Sequence, residues 1–456
     1  MSHLLAARAQ MGTSLAFHII FSVLGVGLPL LLCISEGLAL KTRNPTWMAL
    51  TRRWTKAAAI LFVIGAVSGT IISFELGLLW PTYSKYSGAV IGLPFMLEGF
   101  AFFLEAIFFG LYLYGWERLS PLAHWLCSFP IWLGGAASAW FIVSANSWMN
   151  TPTGFVYKNG KITDINPIQA IFNPSTPYET VHMLLACYVV TGFAVAAVYA
   201  VAMLRGKRDE YIRKGLLLGM AMAMVATPLQ IVSGDFNARF LVHAQPAKFA
   251  AMEGDLHTQA GPPLRIGGII DSKTGNVYYA IEIPHGESLL ANGDLNSVVK
   301  GLDAVPPQNR PEPNFVHLSF DGMVGSGFFI LFIASVFWLL YWLKKRHVPE
   351  NRLLLWGIAL AGPLAFLAVE LGWMVTEEGR QPWVIYGLLR TKDAVTTAPW
   401  MDISFLIFSC IYILLSVALV RLLLGVAHSP HPQNVEVGLA TTQFDPTPKE
   451  LESVGV

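Results

Sequence analysis

Residues 353–375 read LLLWGIALAGPLAFLAVELGWMV, and this stretch decides the fold class. A helix needs about 20 predominantly apolar residues to cross the hydrocarbon core of a bilayer, and this stretch is long enough. It nevertheless contains Glu370, and the TEEGRQPW that follows brings Glu377, Glu378 and Arg380 to its end. Ionisable groups in membrane helices usually face a cavity, a partner or a cofactor. The stretch therefore predicts a membrane-spanning helix with a functional polar face.

The composition of the whole chain indicates a membrane protein. Of its 456 residues, 54% are hydrophobic and only 13% are charged, whereas soluble proteins carry roughly 25% charged residues. The net charge of +1 points to no charged partner, and we expect no nucleic acid binding. The four cysteines are widely spaced in or near apolar runs, which predicts small buried side chains rather than disulfides or a metal cluster. They are Cys33, Cys127, Cys187 and Cys410.

Nine segments are apolar and long enough to span a bilayer, which predicts an all-α integral membrane protein. They cover residues 14–38, 56–80, 94–115, 124–146, 180–203, 214–234, 317–343, 352–375 and 401–425. The first segment lacks a small-residue cleavage site after its apolar run, so we expect it to be retained as a span.

The short loops predict the orientation of the nine spans. Lys and Arg are concentrated in the first, fifth and seventh loops, which hold Lys41, Arg43, Arg52, Arg53, Lys56, Arg205, Lys207, Arg208, Arg213, Lys214, Lys344, Lys345, Arg346 and Arg352. Loops enriched in these residues remain in the cytoplasm. We therefore expect the N-terminus outside and the C-terminus in the cytoplasm.

One long connection divides the chain. The predicted organisation is spans 1–6 in residues 1–232, an outer loop in 233–316, spans 7–9 in 317–427 and a cytoplasmic tail in 428–456. The tail is polar, and we expect it to be disordered. In the outer loop, IGGIIDSKTGNVYYAIEI predicts a β-hairpin that turns at Thr274, Gly275 and Asn276. A loop of this length usually has a function, such as covering a binding site.

The predicted orientation places several polar side chains of different spans at a similar depth. His18, Glu98, His182, Met323 and Glu377 all fall in the outer half of the bilayer. A histidine and a methionine are an axial ligand pair for a low-spin haem. A lone histidine on an apolar helix is more often structural, and a lone methionine usually serves packing. The combination, next to a large outer loop, favours a shared cofactor site.

Two further observations bear on this site. Glu98 and Glu105 are seven residues apart, so they share one helix face about 10.5 Å apart. Carboxyl groups that step along a membrane helix suit a proton relay, although a pair of structural carboxyl groups is the alternative. His317 lies at the same boundary as Met323 and is a competing ligand candidate.

The eighth span carries its polar groups on one stripe. Glu370, Trp373, Glu377 and Arg380 recur at spacings of three, four and three residues, which places them on one helix face. Glu378 points about 100° away from Glu377 around the helix. We expect the stripe to point into the helix bundle.

Motifs along nearly the whole chain resemble subunit I of the cytochrome bd quinol oxidases. One is the Trp-x-x-x-Glu and GRQPW pattern that ends the eighth span. The others, in order, are LAFHII (15–20), EGFAFFLEA (98–106), SANSWMNTPTGF (144–155), VHMLLACYVVTG (181–192), QPAKFAAMEG (245–254) and FDGMVGSG (320–327).

The resemblance implies three haems, a low-spin haem b (b558), a high-spin haem b (b595) and haem d. His182 and Met323 match the axial ligands of the low-spin haem. His18 and Glu377 match the axial ligands of the other two haems, and the assignment between those two stays open.

The resemblance also implies roles for polar residues around the haems and the quinol. Glu98 matches the carboxyl group beside the oxygen-reactive haem, and Glu105 matches a carboxyl group of the proton path. Ser138 and Asn146 match polar groups of the fourth span, towards the proton path and the haem site. Trp373 matches the aromatic residue between haems, Arg380 matches a partner of haem propionates, and Lys248 and Glu253 match the quinol-site pair.

The sequence departs from the family pattern at several points. Asp321 stands where some members carry arginine, and Ala106 stands where a serine can stand. The spacing of the glutamates in the third span is seven, where some members have eight. The outer loop is of the short type.

The implied function is a quinol:oxygen oxidoreductase of a bacterial or archaeal cytoplasmic membrane. It would oxidise ubiquinol or menaquinol outside and reduce O2 to water with cytoplasmic protons, which generates a proton motive force without pumping. The implied partners are membrane lipids, a homologous subunit II and, as an option, a small single-helix subunit. The alternatives are a proton-coupled transporter without haem, or a family relative with haem b in place of haem d or with another electron acceptor.

Overall fold

The computed structural model describes residues 2–158, 160–271 and 274–429. Within them, nine helices are long and apolar enough to cross a membrane, which confirms the predicted fold class. They are α1 (His3–Thr42), α2 (Pro45–Leu79), α3 (Pro81–Tyr114), α4 (Pro121–Asn150), α6 (Thr176–Leu204), α7 (Glu210–Ala244), α10 (Pro313–Leu343), α11 (Arg352–Glu378) and α13 (Met401–His428). The predicted disorder of the tail, from residue 430 onward, concerns residues outside the described ones.

Short elements fill the connections. The helices are α5 (Pro167–Ile171), α8 (Pro246–Glu253), α9 (Gly286–Asn292) and α12 (Thr391–Ala394), with 3-10 turns at Leu302–Ala304 and Pro307–Asn309. The strands are β1 (Val156–Lys158), β2 (Lys161–Thr163), β3 (Gln259–Ala260), β4 (Leu264–Ile266), β5 (Ile269–Ile270), β6 (Val277–Tyr278), β7 (Ile281–Ile283), β8 (Val298–Val299), β9 (Trp383–Ile385) and β10 (Leu389–Arg390).

Most of the long helices extend beyond the predicted spans. Hydropathy identifies only the part of a helix that crosses the hydrocarbon, whereas the helix itself ends where the chain offers a cap. At the start of α1, for example, the Ser2 hydroxyl accepts a hydrogen bond from the Leu5 amide. Helix α7 continues to Ala244, so the first part of the predicted outer loop is helical.

Helices α6 and α7 approach each other closely because small residues line their contact. A Cβ atom on Gly192 would lie 2.7 Å from the backbone nitrogen of Ala223, and one on Gly219 would lie 2.9 Å from that of Ala196. Small residues at such positions let membrane helices pack backbone to backbone. Helix α11 packs against both α6 and α10, so these four helices form one side of the bundle.

The cysteine prediction is correct for three of the four thiols. Cys33 and Cys187 are buried, Cys127 is half-buried, and all four are free. The prediction is wrong for Cys410, which is exposed. The reason is that α13 lies at the margin of the bundle, where only Met401 and Tyr412 are buried.

The outer loop contains the predicted hairpin and is fastened to the membrane helices. Strands β5 and β6 pair antiparallel, and β4 pairs with β7 below them. At the turn, the Gly275 amide donates to the Asp271 carbonyl at 2.8 Å. The Asn314 side chain of α10 exchanges two hydrogen bonds with the backbone of Ile270. The loop therefore lies against the outer end of α10.

Candidate functional site

A buried hydrogen-bond network joins α4, α6 and α8 to the segment that follows α11. The Asn150 side-chain oxygen accepts from Lys248 Nζ at 3.0 Å and from Arg380 Nη1 at 3.3 Å. The Asn150 amide donates to Glu179 Oε1 at 2.9 Å, and Gln245 donates to the Asn150 carbonyl at 2.7 Å. Sequence analysis had singled out two of these five residues, and it missed Asn150, Glu179 and Gln245.

Glu377 is held by two polar neighbours at the end of α11. Asn146 Nδ2 donates to Glu377 Oε1 at 2.7 Å, and Arg380 forms an ion pair with Oε2. Among the described residues, Glu370 Oε1 and Trp373 Nε1 are buried without a hydrogen-bond partner. The stripe of α11 thus turns its polar atoms inward, as predicted.

Glu378 has a different environment from Glu377. Both of its carboxylate oxygens accept from Arg8 Nη2 at 2.7 Å, and the two side chains are each 35% exposed. Such a partly exposed ion pair contributes roughly 0–1 kcal/mol. Glu378 therefore ties α11 to α1 at the surface and lies outside the inward stripe.

His18 and His182 are held in the same way by two different helix pairs. His18 Nδ1 lies 2.9 Å from Ser68 Oγ, and His182 Nδ1 lies 2.9 Å from Ser233 Oγ. A glycine follows each serine. A Cβ atom on Gly69 would lie 3.0 Å from His18 Cε1, and a Cβ atom on Gly234 would lie 3.3 Å from His182 Cε1. The serine orients each ring and the glycine makes room for it.

The hydroxyl of Ser68 indicates which nitrogen of His18 is protonated. Ser68 Oγ donates to the Ile64 carbonyl at 3.0 Å, so its oxygen can accept a hydrogen bond from His18 Nδ1. Nε2 then carries the lone pair. At His182, the Gln230 amide lies 2.9 Å from Nε2. Metal-ligating histidines commonly have their second ring nitrogen fixed in this way, which suits both residues for binding iron through Nε2.

His317 differs from these two histidines. It is buried, its Nδ1 lies 2.6 Å from the Met252 carbonyl oxygen, and its Nε2 lies 3.0 Å from the Gly267 carbonyl oxygen. Both nitrogens are occupied by backbone acceptors, so neither is free to bind iron. His317 instead anchors the outer loop, and this geometry disfavours it as the alternative to Met323.

Met323 lies at the contact between α10 and α11. A Cβ atom on Gly372 would lie 3.0 Å from Met323 Sδ. The glycine therefore leaves space for the thioether beside α11. Helix α11 also packs against α6, the helix that carries His182.

Glu98 and Glu105 both face α4, as expected for two groups on one face of α3. Ser138 Oγ donates to Glu98 Oε1 at 3.1 Å. Glu105 is buried, and a Cβ atom on Gly135 would lie 3.1 Å from its Oε2. Gly134 and Gly135 thus let α4 pass close to the Glu105 carboxyl group.

Lys248 and Glu253 lie on the same short helix but face different groups. Both side chains are buried. Burial lowers the pKa of Lys248, and the nearby Arg380 lowers it further. Burial, with Asp255 and Asp321 as acidic neighbours, raises the pKa of Glu253 to about 8. Helix α8 therefore presents an ammonium group and a carboxyl group to two separate polar regions.

Ser68 and Ser233 are two further functional residues that sequence reasoning missed. The tripeptide Val-Ser-Gly occurs at residues 67–69 and again at 232–234, in the helices that face His18 and His182. The repeated tripeptide is visible in the sequence. Its role can be recognised only from the structure, in which α2 packs on α1 and α7 packs on α6.

Buried histidine nitrogens, a methionine sulfur and carboxyl groups on a membrane bundle are the ligand types of a haem protein. Groups of three or more His, Cys, Asp or Glu that could hold a metal ion are absent from the described part of the chain. Residues 6–430 match the family described as cytochrome bd terminal oxidase subunit I, and the chain belongs to that family.

Individual relatives agree with this membership. The chain is 40% identical over 430 residues to a putative cytochrome bd menaquinol oxidase subunit I of Bacillus subtilis, covering 93% of this chain and 96% of that protein. It is 32% identical over 453 residues to cytochrome bd ubiquinol oxidase subunit 1 of the same organism, covering 94% and 96%. The bd oxidase structure from Geobacillus thermodenitrificans superposes with a TM-score of 0.88 at 37% identity, covering 93% of this chain and 98% of that chain.

The chain is therefore a haem-containing subunit of a membrane terminal quinol oxidase. It is a multi-pass protein of the cytoplasmic membrane, its substrate is a quinol, and it works with further oxidase subunits. These findings decide against the alternative of a transporter without haem.

Proposed function

We propose that this subunit oxidises quinol at the outer face and supports the reduction of O2 to water with protons from the cytoplasm. Quinol protons leave outside and chemical protons enter from inside, so charge is separated without pumping. The observation that carries the proposal is the matching support of His18 and His182, each with its Nδ1 at a serine hydroxyl, which leaves Nε2 as the nitrogen that would bind iron.

The arrangement supports four residues as the proposed haem ligands. His182 and Met323 would hold a low-spin haem b (b558), and His18 and Glu377 would hold a high-spin haem b (b595) and haem d. When bound, these haems supply the iron that carries electrons and reduces oxygen. The Gln230 amide, 2.9 Å from His182 Nε2, would have to move aside for an iron at that nitrogen.

Polar residues near Glu377 suit the carboxylate groups of a haem. Arg380 is only 1% exposed, and buried arginine forms strong paired hydrogen bonds with carboxylates. Its Nε has no hydrogen-bond partner among the described residues. We propose that Arg380 would pair with a haem propionate and that the Trp373 ring would lie between two haems. Asn146 orients Glu377.

Asp321 has a structural role in place of the arginine that some relatives carry. Its Oδ2 accepts from the Gly267 amide at 2.6 Å and lies 3.4 Å from His317 Nε2. Asp321 therefore fastens the outer loop above Met323.

The proton path would use Glu105 and then Glu98, which are the two acidic side chains that face α4. Ser138 holds Glu98 through its hydroxyl. Ala106 offers no hydroxyl group, so Glu105 relies on the adjacent cavity for its hydrogen-bonding partners. If the N-terminus lies outside, as we propose, Glu105 would lie on the cytoplasmic side of Glu98.

Homologous subunit II and a small single-helix subunit are the partners we propose. Helix α13 and one face of α3 expose large apolar side chains, including Phe100, Phe103, Leu406 and Leu414. Lipid or a second subunit would cover these faces.

Replacing Lys248 or Glu253 by alanine should raise the apparent KM for quinol or lower turnover while every haem stays bound. The reason is that both side chains are buried on the helix α8 and neither is a proposed iron ligand. Steady-state oxygen uptake with a soluble quinol, together with the haem spectrum, tests this. Arg239→Ala is the matched control, since its ion pair with Asp235 is exposed. Unchanged kinetics for Lys248→Ala and Glu253→Ala would remove the quinol site from this helix.

Replacing Ser68 or Ser233 by alanine should shift the midpoint potential of one haem and weaken its retention about 10–100-fold, because a ligand-orienting hydrogen bond is lost. Redox titration followed by haem absorbance is the measurement. Ser73→Ala is the control on α2, because its hydroxyl bonds only the Gly69 carbonyl. Threonine at position 68 or 233 should restore the potential. Identical potentials in all these variants would contradict the ligand role of the two histidines.

Oxygen uptake by the purified complex in liposomes tests the whole proposal. Quinol added outside should drive oxygen consumption, with acidification outside and alkalinisation inside. Oxygen consumption without a transmembrane pH change would contradict the charge-separation scheme.

A further inference from the structure

A buried cluster of three side chains lies near the end of α1, α3 and α4 that is opposite His18. Tyr112 Oη donates to Glu36 Oε2 at 2.5 Å, and His124 Nδ1 lies 2.7 Å from Glu36 Oε1. The three residues are 0%, 1% and 3% exposed, in the order Tyr112, Glu36 and His124. The haem and quinol sites proposed above do not use this Glu36 cluster.

Glu36 and His124 are placed so that they can share one transferable proton. His124 Nε2 lies 2.9 Å from the Tyr112 carbonyl oxygen, which can only accept, so Nε2 carries a hydrogen. Nδ1 faces the Glu36 carboxyl group, and a hydrogen bond between them requires one proton that either group can carry. A site that can hold a proton on either of two groups meets the first requirement of a relay.

The cluster lies close to the positively charged loop that we place in the cytoplasm. The Trp116 ring packs against His124 with 4.0 Å between ring centroids and an angle of 36° between the ring planes. The Arg52 guanidinium lies 4.9 Å from the centroid of Trp116. Arg52, in the first turns of α2, thus contacts Trp116, which in turn contacts His124 of the Glu36 cluster.

A small cavity lies beside Glu105. It has a volume of about 10 Å³, and it is lined by Glu105 and Phe109 of α3 and by Gly25 and Pro29 of α1. That is space for about one water molecule. Pro29 has no N–H group, so it cannot bond the Gly25 carbonyl as a helix normally would. Glu105 supplies the one polar side chain among the residues that line this cavity, and the other lining side chains are apolar.

The distances along the helices are short enough for such a path. Tyr112 and Glu105 are seven residues apart on one face of α3, or about 10.5 Å. On α4, His124, Ser128 and Gly135 follow one another along the same face, and Gly135 contacts the Glu105 carboxyl group. Ser128 is fully buried on that face, and its hydroxyl donates to the Trp125 carbonyl at 2.6 Å.

We propose that Glu36 and His124 form the proton-loading site at the cytoplasmic end of the path to Glu105. A proton arrives from cytoplasmic water, resides on the pair, and leaves through the cavity to the Glu105 carboxyl group. Only a proton moves, and the pair returns to its starting state when the next proton arrives. This inference rests on the proposed function, in which Glu105 and Glu98 deliver the chemical protons.

A purely structural role for the cluster makes a different prediction. A buried pair that only stabilises packing should lose stability or haem when altered, without a specific effect on proton uptake. Trp125→Phe is the matched control, because Trp125 Nε1 donates to the Cys33 carbonyl at 2.9 Å and joins the same two helices without a titratable group.

The test uses the purified, fully reduced complex, with oxygen binding started by a light flash. Haem absorbance follows oxygen binding, and a pH-indicator dye follows proton uptake. Glu36→Gln and His124→Gln should leave oxygen binding unchanged and slow proton uptake at least about tenfold. Trp125→Phe should behave like the unaltered protein. Proton uptake at the normal rate in either glutamine variant would overturn the inference, as would failure of both variants to assemble with haem while Trp125→Phe assembles.

Glu105→Gln separates this inference from the proposed function. Slow proton uptake in Glu105→Gln together with normal uptake in Glu36→Gln would leave the proposed path intact and reject the loading site. Normal proton uptake in Glu105→Gln would reject the path itself.

Discussion

Replacing His182 by alanine or Met323 by leucine is expected to abolish the low-spin haem signal and quinol-driven oxygen uptake. The two side chains would supply both axial ligands of the haem that accepts electrons from quinol, so either change leaves the iron with one ligand at most. A low-temperature reduced-minus-oxidised spectrum of each purified variant measures the loss. Met323→Leu keeps the apolar volume, so its effect reports on the sulfur rather than on packing.

His317→Ala is the control for this experiment. Both nitrogens of His317 bind backbone carbonyl oxygens, so its removal should loosen the outer loop and leave the low-spin haem in place. If His317→Ala removes the low-spin signal and Met323→Leu does not, the ligand assignment is wrong.

Replacing Glu377 by alanine is expected to remove or rearrange one haem of the oxygen-reducing pair, while the haem between His182 and Met323 stays spectrally intact. The Asn146 amide donates to the Glu377 carboxyl group and the Arg380 guanidinium pairs with it, so both partners would orient this group for binding iron. Haem extraction and absorbance of the purified complex measure which haem is lost.

Glu378→Ala is the matched control one residue along the chain. The Glu378 carboxylate pairs with Arg8 near the surface, so its removal should cost roughly 0–1 kcal/mol of stability and no haem. Equal losses of haem and activity in the two variants would show that the pair of glutamates is only a charged helix end.

Much of the fold could be predicted from sequence because bilayer thickness imposes a length on every apolar run. The nine spans follow from that constraint alone. The ends of the helices could not be predicted as well, since caps and the solvated turns outside the hydrocarbon decide them. Helix α7 shows this clearly, because it continues to Ala244 through a segment with charged residues such as Asp235 and Arg239.

The site was predictable only where motif and spacing coincide. The spacing of Trp373, Glu377 and Arg380 is enough to predict that they share one helix face. The Ser68 and Ser233 supports were not predictable in that way, since each depends on which helix packs against a histidine. Asn150 was missed for the same reason, because its partners Lys248 and Glu179 come from distant parts of the chain.

The most direct test of the account is the optical spectrum of the purified complex, recorded with haem extraction. We predict a low-spin haem b, a high-spin haem b and a chlorin-type haem d, in equal amounts. A complex that carries only haem b would contradict the haem d assignment. A complex that lacks the low-spin haem, or that binds no haem, would contradict the roles assigned to His182, Met323, His18 and Glu377.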